Sequence, residues 1–316
     1  MMDLIPTSAQ HIHILLNHFP SVGSIIAIIL FLVSFYYKSE DLKRASLFIF
    51  VALGLLAIPT YITGAATRWS IQGSTGINFD IIMAHQDAAL SAFLGLGLTG
   101  LFAWFALWQE RRFSTGAPNW ILYSTLGLSG YSVYAMALAG NIGGHISRPQ
   151  LGHAEEILAN QGTSITASIQ ELVNSFIWAW PAMEAVHFIG MALIFGSLGL
   201  ISVRVLGYAN YLSFAPLHRL LPLGVLGFVV NIVTGMFFFI ADSGRYVAMD
   251  GFPPKIIWMM IGGITIIYLT TFDDVWDLEE GDDAPLRAKV MAAATILSWG
   301  AVIVFGRLLP YYGDGG

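Results

Sequence analysis

Eight long apolar stretches constrain this chain more than any other feature. They run over residues 19–37, 45–66, 83–108, 120–140, 182–205, 220–240, 256–271 and 290–309. A hydrocarbon core of about 30 Å needs roughly 20 apolar residues in helical form, and these stretches meet or approach that length. Composition agrees: 56% of the 316 residues are hydrophobic and 11% charged, against about 25% charged in soluble domains. The fold class expected is an all-α integral membrane protein with about eight transmembrane helices.

The polar stretch between the fourth and fifth spans divides the set. It is too long for a turn, and "HAEEILANQ" within it reads as a short surface helix. The organisation expected is two four-helix bundles, at 1–150 and 178–316, joined by an outer linker at 151–177. Loops after spans 1, 3, 5 and 7 hold nine of the fourteen Lys and Arg residues. The positive-inside rule then puts those loops in the cytoplasm. Both termini face outward, into the periplasm if the membrane is the inner membrane of a Gram-negative bacterium. "MMDLIPTSAQ" lacks the basic start of a signal peptide, so the first span is expected to be retained.

Several function classes drop out. The chain has no Cys, which removes disulfides, thiolate metal sites and Cys-bound haem. Net charge is −6 with no basic run, so nucleic acid is not an expected partner. No phosphate-binding loop, dinucleotide fingerprint or nucleophile elbow is present.

The histidines sort by depth. His11, His13 and His18 lie at the outer end of span 1, His85 near the outer end of span 3, and His145 just beyond span 4. His153 is in the linker and His187 just inside span 5, so only His218 falls on the cytoplasmic side. Any one of them is explained by hydration at the interface. The set suggests more, because the first and third helices of an up-down-up-down bundle are diagonal. Two imidazoles facing each other across a bundle hold a b-type haem without cysteine, each ring's second nitrogen needing an acceptor. Asp87, two residues from His85, points elsewhere on its helix; Asn17 or a backbone carbonyl is the expected partner of His18. Arg68 is on the same outer face, placed either to pair a haem propionate or to anchor the interface. Gly95, Gly97, Gly100, Gly127, Gly130 and Gly140 allow flat approach of a cofactor, or tight helix packing without one.

Copper is the competing ligand, since imidazole suits it. His11 and His13 share a side if extended, whereas His11 and His18 share a face if helical.

Residues 12–151 resemble a family of uncharacterised bacterial four-helix membrane proteins. The resemblance rests on "HILLNHFP" (His13, His18, Phe19, Pro20), "AHQDAAL" (His85) and "GGHISRPQL" (Gly143, Gly144, His145). Such modules occur beside redox partners and look like b-haem carriers. The resemblance implies His18 and His85 as the haem-iron ligands, with His13 and His145 in reserve. The family pattern expects a histidine where Arg148 stands, so a second haem lacks one ligand of its pair.

In the second half Glu184 and His187 are three apart, on one helix face. Ionisable groups in a membrane mark function by default, so the pair is a candidate second site for a metal, a proton or a quinone. A mutual hydrogen bond that merely stabilises the bundle explains it equally well. Arg245 and Tyr246 lie in the outer loop beside it, and His218 and Arg219 read as interface anchors. Residues 178–312 loosely resemble four-helix modules of the copper-resistance-protein-D type, through "EAVHFIGMALIFGS", "RLLPLGVLGFVVNIVTGMFFF" and "GRLLPYYG".

The function expected is a non-catalytic, cytochrome-b-like electron-transfer subunit of an oxidoreductase complex, carrying one haem b, or two, near the periplasmic face. Electrons pass from a membrane donor such as quinol to a periplasmic c-type cytochrome or cupredoxin. Membrane lipid, quinone and other subunits of the complex are the expected partners. The alternatives are a copper-binding or copper-transport protein and a purely structural membrane subunit.

Overall fold

The first helices begin on residues whose side chains cap them. In the computed structural model, which describes residues 8–74, 78–113, 116–147, 154–159, 162–272 and 275–309, the Ser8 hydroxyl accepts the His11 amide and starts α1 (Ala9–Tyr37). Ser39 likewise takes the Leu42 amide at the start of α2 (Glu40–Ile71), whose first turn adds Glu40 and Asp41. An oxygen at this position satisfies an amide the helix cannot, and acids suit the positive helix end. Between the two, Lys38 adopts a left-handed φ of 52° and its N–H bonds back to the Phe35 carbonyl. The chain therefore reverses at once. The Asn78 carboxamide oxygen accepts the Asp80 amide to open α3 (Phe79–Phe113), and α4 (Asn119–Ser147) follows a short connection.

The chain divides into two compact units, Met1–Ser168 and Ile169–Gly316. In the first, α1 packs on α2, α2 on α3, α3 on α4 and, more sparsely, α1 on α4. This is an up-down-up-down four-helix bundle with α1 and α3 on its diagonal. Helices α2 and α3 approach closely at Gly54 and Gly100, where a Cβ on either glycine would lie 3.2 Å from the other's Cα. Small residues let membrane helices approach this way. The short helix expected in the linker is α5 (Ala154–Ala159). Its Ile157 packs on Ile81, Ala84, Ala88, Ala139 and Ile142 at the end of α3 and α4. The start of α6 (Ile165–Ser175) is tied to α3, the Asp87 carboxylate accepting the Thr166 amide at 3.0 Å. Asp87 indeed points away from the direction of His85.

The second unit is built from α7 (Ala179–Val205), α9 (Leu221–Ala241), α11 (Phe252–Thr271) and α12 (Leu286–Leu308), with short α8 (Phe214–His218) and α10 (Ser243–Val247). Helix α7 packs on α9 and α12, and α11 on α12 and α9. The α7–α9 contact closes on Gly190 and Gly227: a Cβ on Gly227 would stand 2.6 Å from the Gly190 carbonyl oxygen. At the other end of α7, Arg204 is completely buried and donates to the backbone carbonyls of Leu212, Glu279 and Asp282. One guanidinium thus fastens both loops at that end. Nothing in the charge count, which placed Arg204 among the cytoplasmic basic residues, distinguished it from an ordinary loop cation.

Among the described residues eight helices are long and apolar enough to cross a membrane, and the protein is an all-α, multi-pass membrane protein. Several helices extend beyond the apolar stretches. Helix α1 starts at Ala9, ten residues before residue 19, because the Ser8 cap and the continuing helix-compatible run "AQHIHILLNH" support further turns. Helix α4 runs on to Ser147. These extensions carry the histidines into helix.

Candidate functional site: a histidine-lined cavity in the first bundle

A cavity of about 330 Å³ lies inside the first bundle, lined from all four of its helices. Small-molecule sites occupy about 300–1,000 Å³. Helix α1 contributes His13, Asn17 and His18; α3 contributes His85 and Gln86; α2 contributes Thr60, Gly64 and Arg68; α4 contributes Met136 and Gly140. Four of the five cofactor-binding residues singled out in the sequence therefore meet around one space: His13, His18, His85 and Arg68. His145 does not line it. Its Nδ1 donates to the Asn141 carbonyl of its own helix at 2.9 Å. His153 and Arg148 lie outside the described residues, as does the end of "GRLLPYYG".

His13 and His85 are held in the same way. The His13 Nδ1 donates to the Thr60 carbonyl of α2 at 3.0 Å, and the His85 Nδ1 donates to the Ala139 carbonyl of α4 at 2.9 Å. A carbonyl only accepts, so Nδ1 carries the proton and Nε2 keeps its lone pair. Each ring also rests on a glycine one turn beyond its carbonyl. A Cβ on Gly64 would come within 2.9 Å of His13 Cε1, and one on Gly143 within 3.0 Å of His85 Cε1. Any larger residue would push the ring from its acceptor. The two seats, Thr60 with Gly64 and Ala139 with Gly143, have identical spacing on the helices adjacent to α1 and α3. The two imidazoles are close enough to interact electrostatically.

His18 is placed differently. It lies five residues deeper along α1, about 7.5 Å at 1.5 Å per residue, and about 140° around the helix from His13. Its Nδ1 donates to the Ile14 carbonyl of its own helix at 2.6 Å, and the residue is exposed. The backbone-carbonyl partner expected for it is present, but no neighbouring helix holds the ring. His11, exposed on α1, is two helical positions from His13, so the two rings point to different sides.

Polar groups at the rim complete the cavity. Arg68 is only 8% exposed; Nη1 donates to the Met83 sulfur at 3.3 Å, and the guanidinium lies 4.7 Å from the centre of the Trp69 ring. Gln86 is also 8% exposed, and its carboxamide oxygen has no hydrogen-bond partner among the described residues. Buried acceptors without donors are rare, and this one lines the cavity. Among the glycines flagged in the sequence only Gly140 reaches the cavity; Gly95 packs on Tyr131 and Gly100 on Gly54.

The Glu184–His187 pair in the second unit does not form a hydrogen bond. The Glu184 carboxylate is exposed and accepts from the Trp180 indole at 3.1 Å. The Thr234 hydroxyl donates to the Val230 carbonyl at 2.7 Å, so it accepts from the His187 Nδ1–H, also at 2.7 Å. His187 further meets the Phe238 ring edge-on and lies within electrostatic reach of Lys255. On α10, burial pushes the Tyr246 hydroxyl up to about 12, which keeps it a neutral donor at ordinary pH. Among the described residues no group of three or more His, Asp or Glu side chains is placed to hold a metal ion. His218 packs against Trp276, ring centres 4.0 Å apart.

Comparison of the chain with protein-family models, with curated proteins and with solved structures finds no match.

Proposed function

We propose that the first bundle is a b-type cytochrome module, binding one haem between His13 and His85. The observation that carries this is the pair of matched seats: two imidazoles from diagonal helices, each with its Nδ1 proton committed to a neighbouring carbonyl and an Nε2 lone pair free. Histidines that ligate metal are held in this way, the outer hydrogen bond fixing ring orientation and tautomer. The site also suits a porphyrin beyond its donor atoms. Ala57, Ala65, Ala89 and Ala92 keep the lining small and apolar, Arg68 supplies a cation for a propionate, and the free Gln86 oxygen offers an acceptor to a protonated one. A haem there supplies one-electron redox chemistry. The chain's own part would be to hold the His13 and His85 rings in place and to keep the lining apolar.

The sequence ranks His18 above His13; we favour the opposite order, because only His13 is seated like His85. Both rings lie near one end of the bundle, which the distribution of Lys and Arg assigns to the outer face. The module then carries electrons from a quinol-class donor in a bacterial inner membrane to a periplasmic c-type cytochrome or cupredoxin, as a subunit of a larger redox complex with both termini periplasmic. The test is the reduced-minus-oxidised absorption spectrum of the detergent-purified protein, with haem and protein quantified together. One six-coordinate b haem per chain is expected; a preparation from a haem-replete host without a Soret band overturns the reading.

A further inference from the structure

The cavity has a side opening, and the residues around it select what enters. His18 and Gly140 both line the cavity and are both exposed. They lie on α1 and α4, the pair of neighbouring helices with the sparsest packing in this bundle. The cavity therefore reaches the surface at the α1–α4 seam. The seam faces lipid: Leu15, Phe19 and Val22, around His18 on α1, are about half exposed. Counting roughly 20 residues back from Tyr37, the far end of α1, places His18 at the border between hydrocarbon and head groups. Gly140 keeps the seam open, since a Cβ there would meet nothing within 4 Å.

The haem reading leaves His18 without a task. Its Nδ1–H is spent on the Ile14 carbonyl, so Nε2 is left as a hydrogen-bond acceptor beside the cavity. We propose that this window admits the head group of a lipid-soluble hydroquinone, one hydroxyl of which donates to the His18 Nε2. The apolar ring meets Pro20 and Met136, which line the cavity from α1 and α4, and an isoprenoid-type tail remains in the bilayer. The inference deepens the electron-carrier reading by giving its donor a docking place, yet binding at the window does not require the haem.

A photoactivatable azidoquinone, applied to the full-length protein in lipid nanodiscs and displaced by decylubiquinol, tests this. Cross-links are expected on α1 around His18 and on α4 around Met136. His18→Phe removes the acceptor and lowers specific labelling about tenfold, the value of one hydrogen bond. Gly140→Leu adds bulk at the window, where a Cβ alone meets nothing within 4 Å, and abolishes labelling. Haem absorbance and thermal stability are read on the same samples, so that a variant that has merely misfolded is recognised. Unchanged labelling in either variant, or labelling spread evenly over the lipid-facing surface, overturns the proposal. A haem-containing protein that fails to label contradicts the window alone. A protein that labels at His18 and carries no haem contradicts the haem reading alone.

Discussion

The two bundles each hold a half-buried histidine in a helix near one end, and they do different things with it. In the first, His85 sits on a carbonyl and a glycine and has a counterpart, His13, on an equivalent seat across a cavity. In the second, His187 sits on a threonine hydroxyl, beside Phe238 and Lys255. Both rings expose an Nε2 lone pair, so availability of the nitrogen does not separate them. What separates them is a second imidazole and a space between the two. A lone buried histidine with a good hydrogen bond is an ordinary structural residue; on the proposed reading, a matched pair with a cavity is a ligand set.

That contrast is broken or sharpened by substitution. The largest effect is expected from His85→Ala, which removes an axial ligand and eliminates the six-coordinate haem spectrum, while His187→Ala leaves it unchanged. Loss of the spectrum in both variants would place a cofactor ligand in the second bundle and undo the distinction. Next come the glycine seats. Gly64→Val and Gly143→Val drive atoms into rings already 2.9 and 3.0 Å from a first added carbon; haem content in purified protein should fall about tenfold or more in each. The corresponding change beside His187, Gly235→Ala, adds a carbon 3.9 Å from the ring, an ordinary contact, and should leave haem content and stability unaltered.

The second bundle has its own sensitive point, and it is structural. Arg204→Leu leaves three part-buried backbone carbonyls without their shared donor, and a hydrogen bond to a charged group contributes about 1.5–3 kcal/mol. Thermal unfolding of the purified protein should register a loss of about 3 kcal/mol or more, with the haem spectrum intact below the transition. The smallest effect belongs to Glu184→Gln. The side chain is exposed and accepts from the Trp180 indole, so stability should change by no more than about 0.5 kcal/mol. A change in redox potential on this substitution would restore Glu184 to the functional set.

The helical fold was legible because a 20-residue apolar stretch has few other uses. The clustering of histidines at one end was legible too, since depth follows from position along a span. Which histidine is seated on a neighbouring helix was not. Residue 19 looked like the start of the first span, leaving His13 outside it, whereas the helix begins at Ala9 and carries His13 to the level of Thr60 and Gly64. Ser8 was the available signal, a capping residue ahead of the run. Angle around the axis was the second obstacle. His13 and His18 are five apart, so only one of them can face the seat, and composition does not say which. Gly64 and Gln86 carry no mark in the sequence; their roles come from what lies opposite. Gly143 stood in a quoted motif, but its use as a seat for His85 depends on α4 continuing to Ser147.

The central claim is that His13 and His85 are the axial pair. Near-infrared magnetic circular dichroism of the ferric protein reports axial ligand identity directly, and should be collected for the wild type and for His13→Gly, His18→Ala and His85→Gly. A bis-imidazole signature is expected in the wild type and in His18→Ala, lost in both glycine variants and restored to each by added imidazole. A signature that survives His13→Gly but vanishes in His18→Ala would contradict the claim and return the ligand to His18.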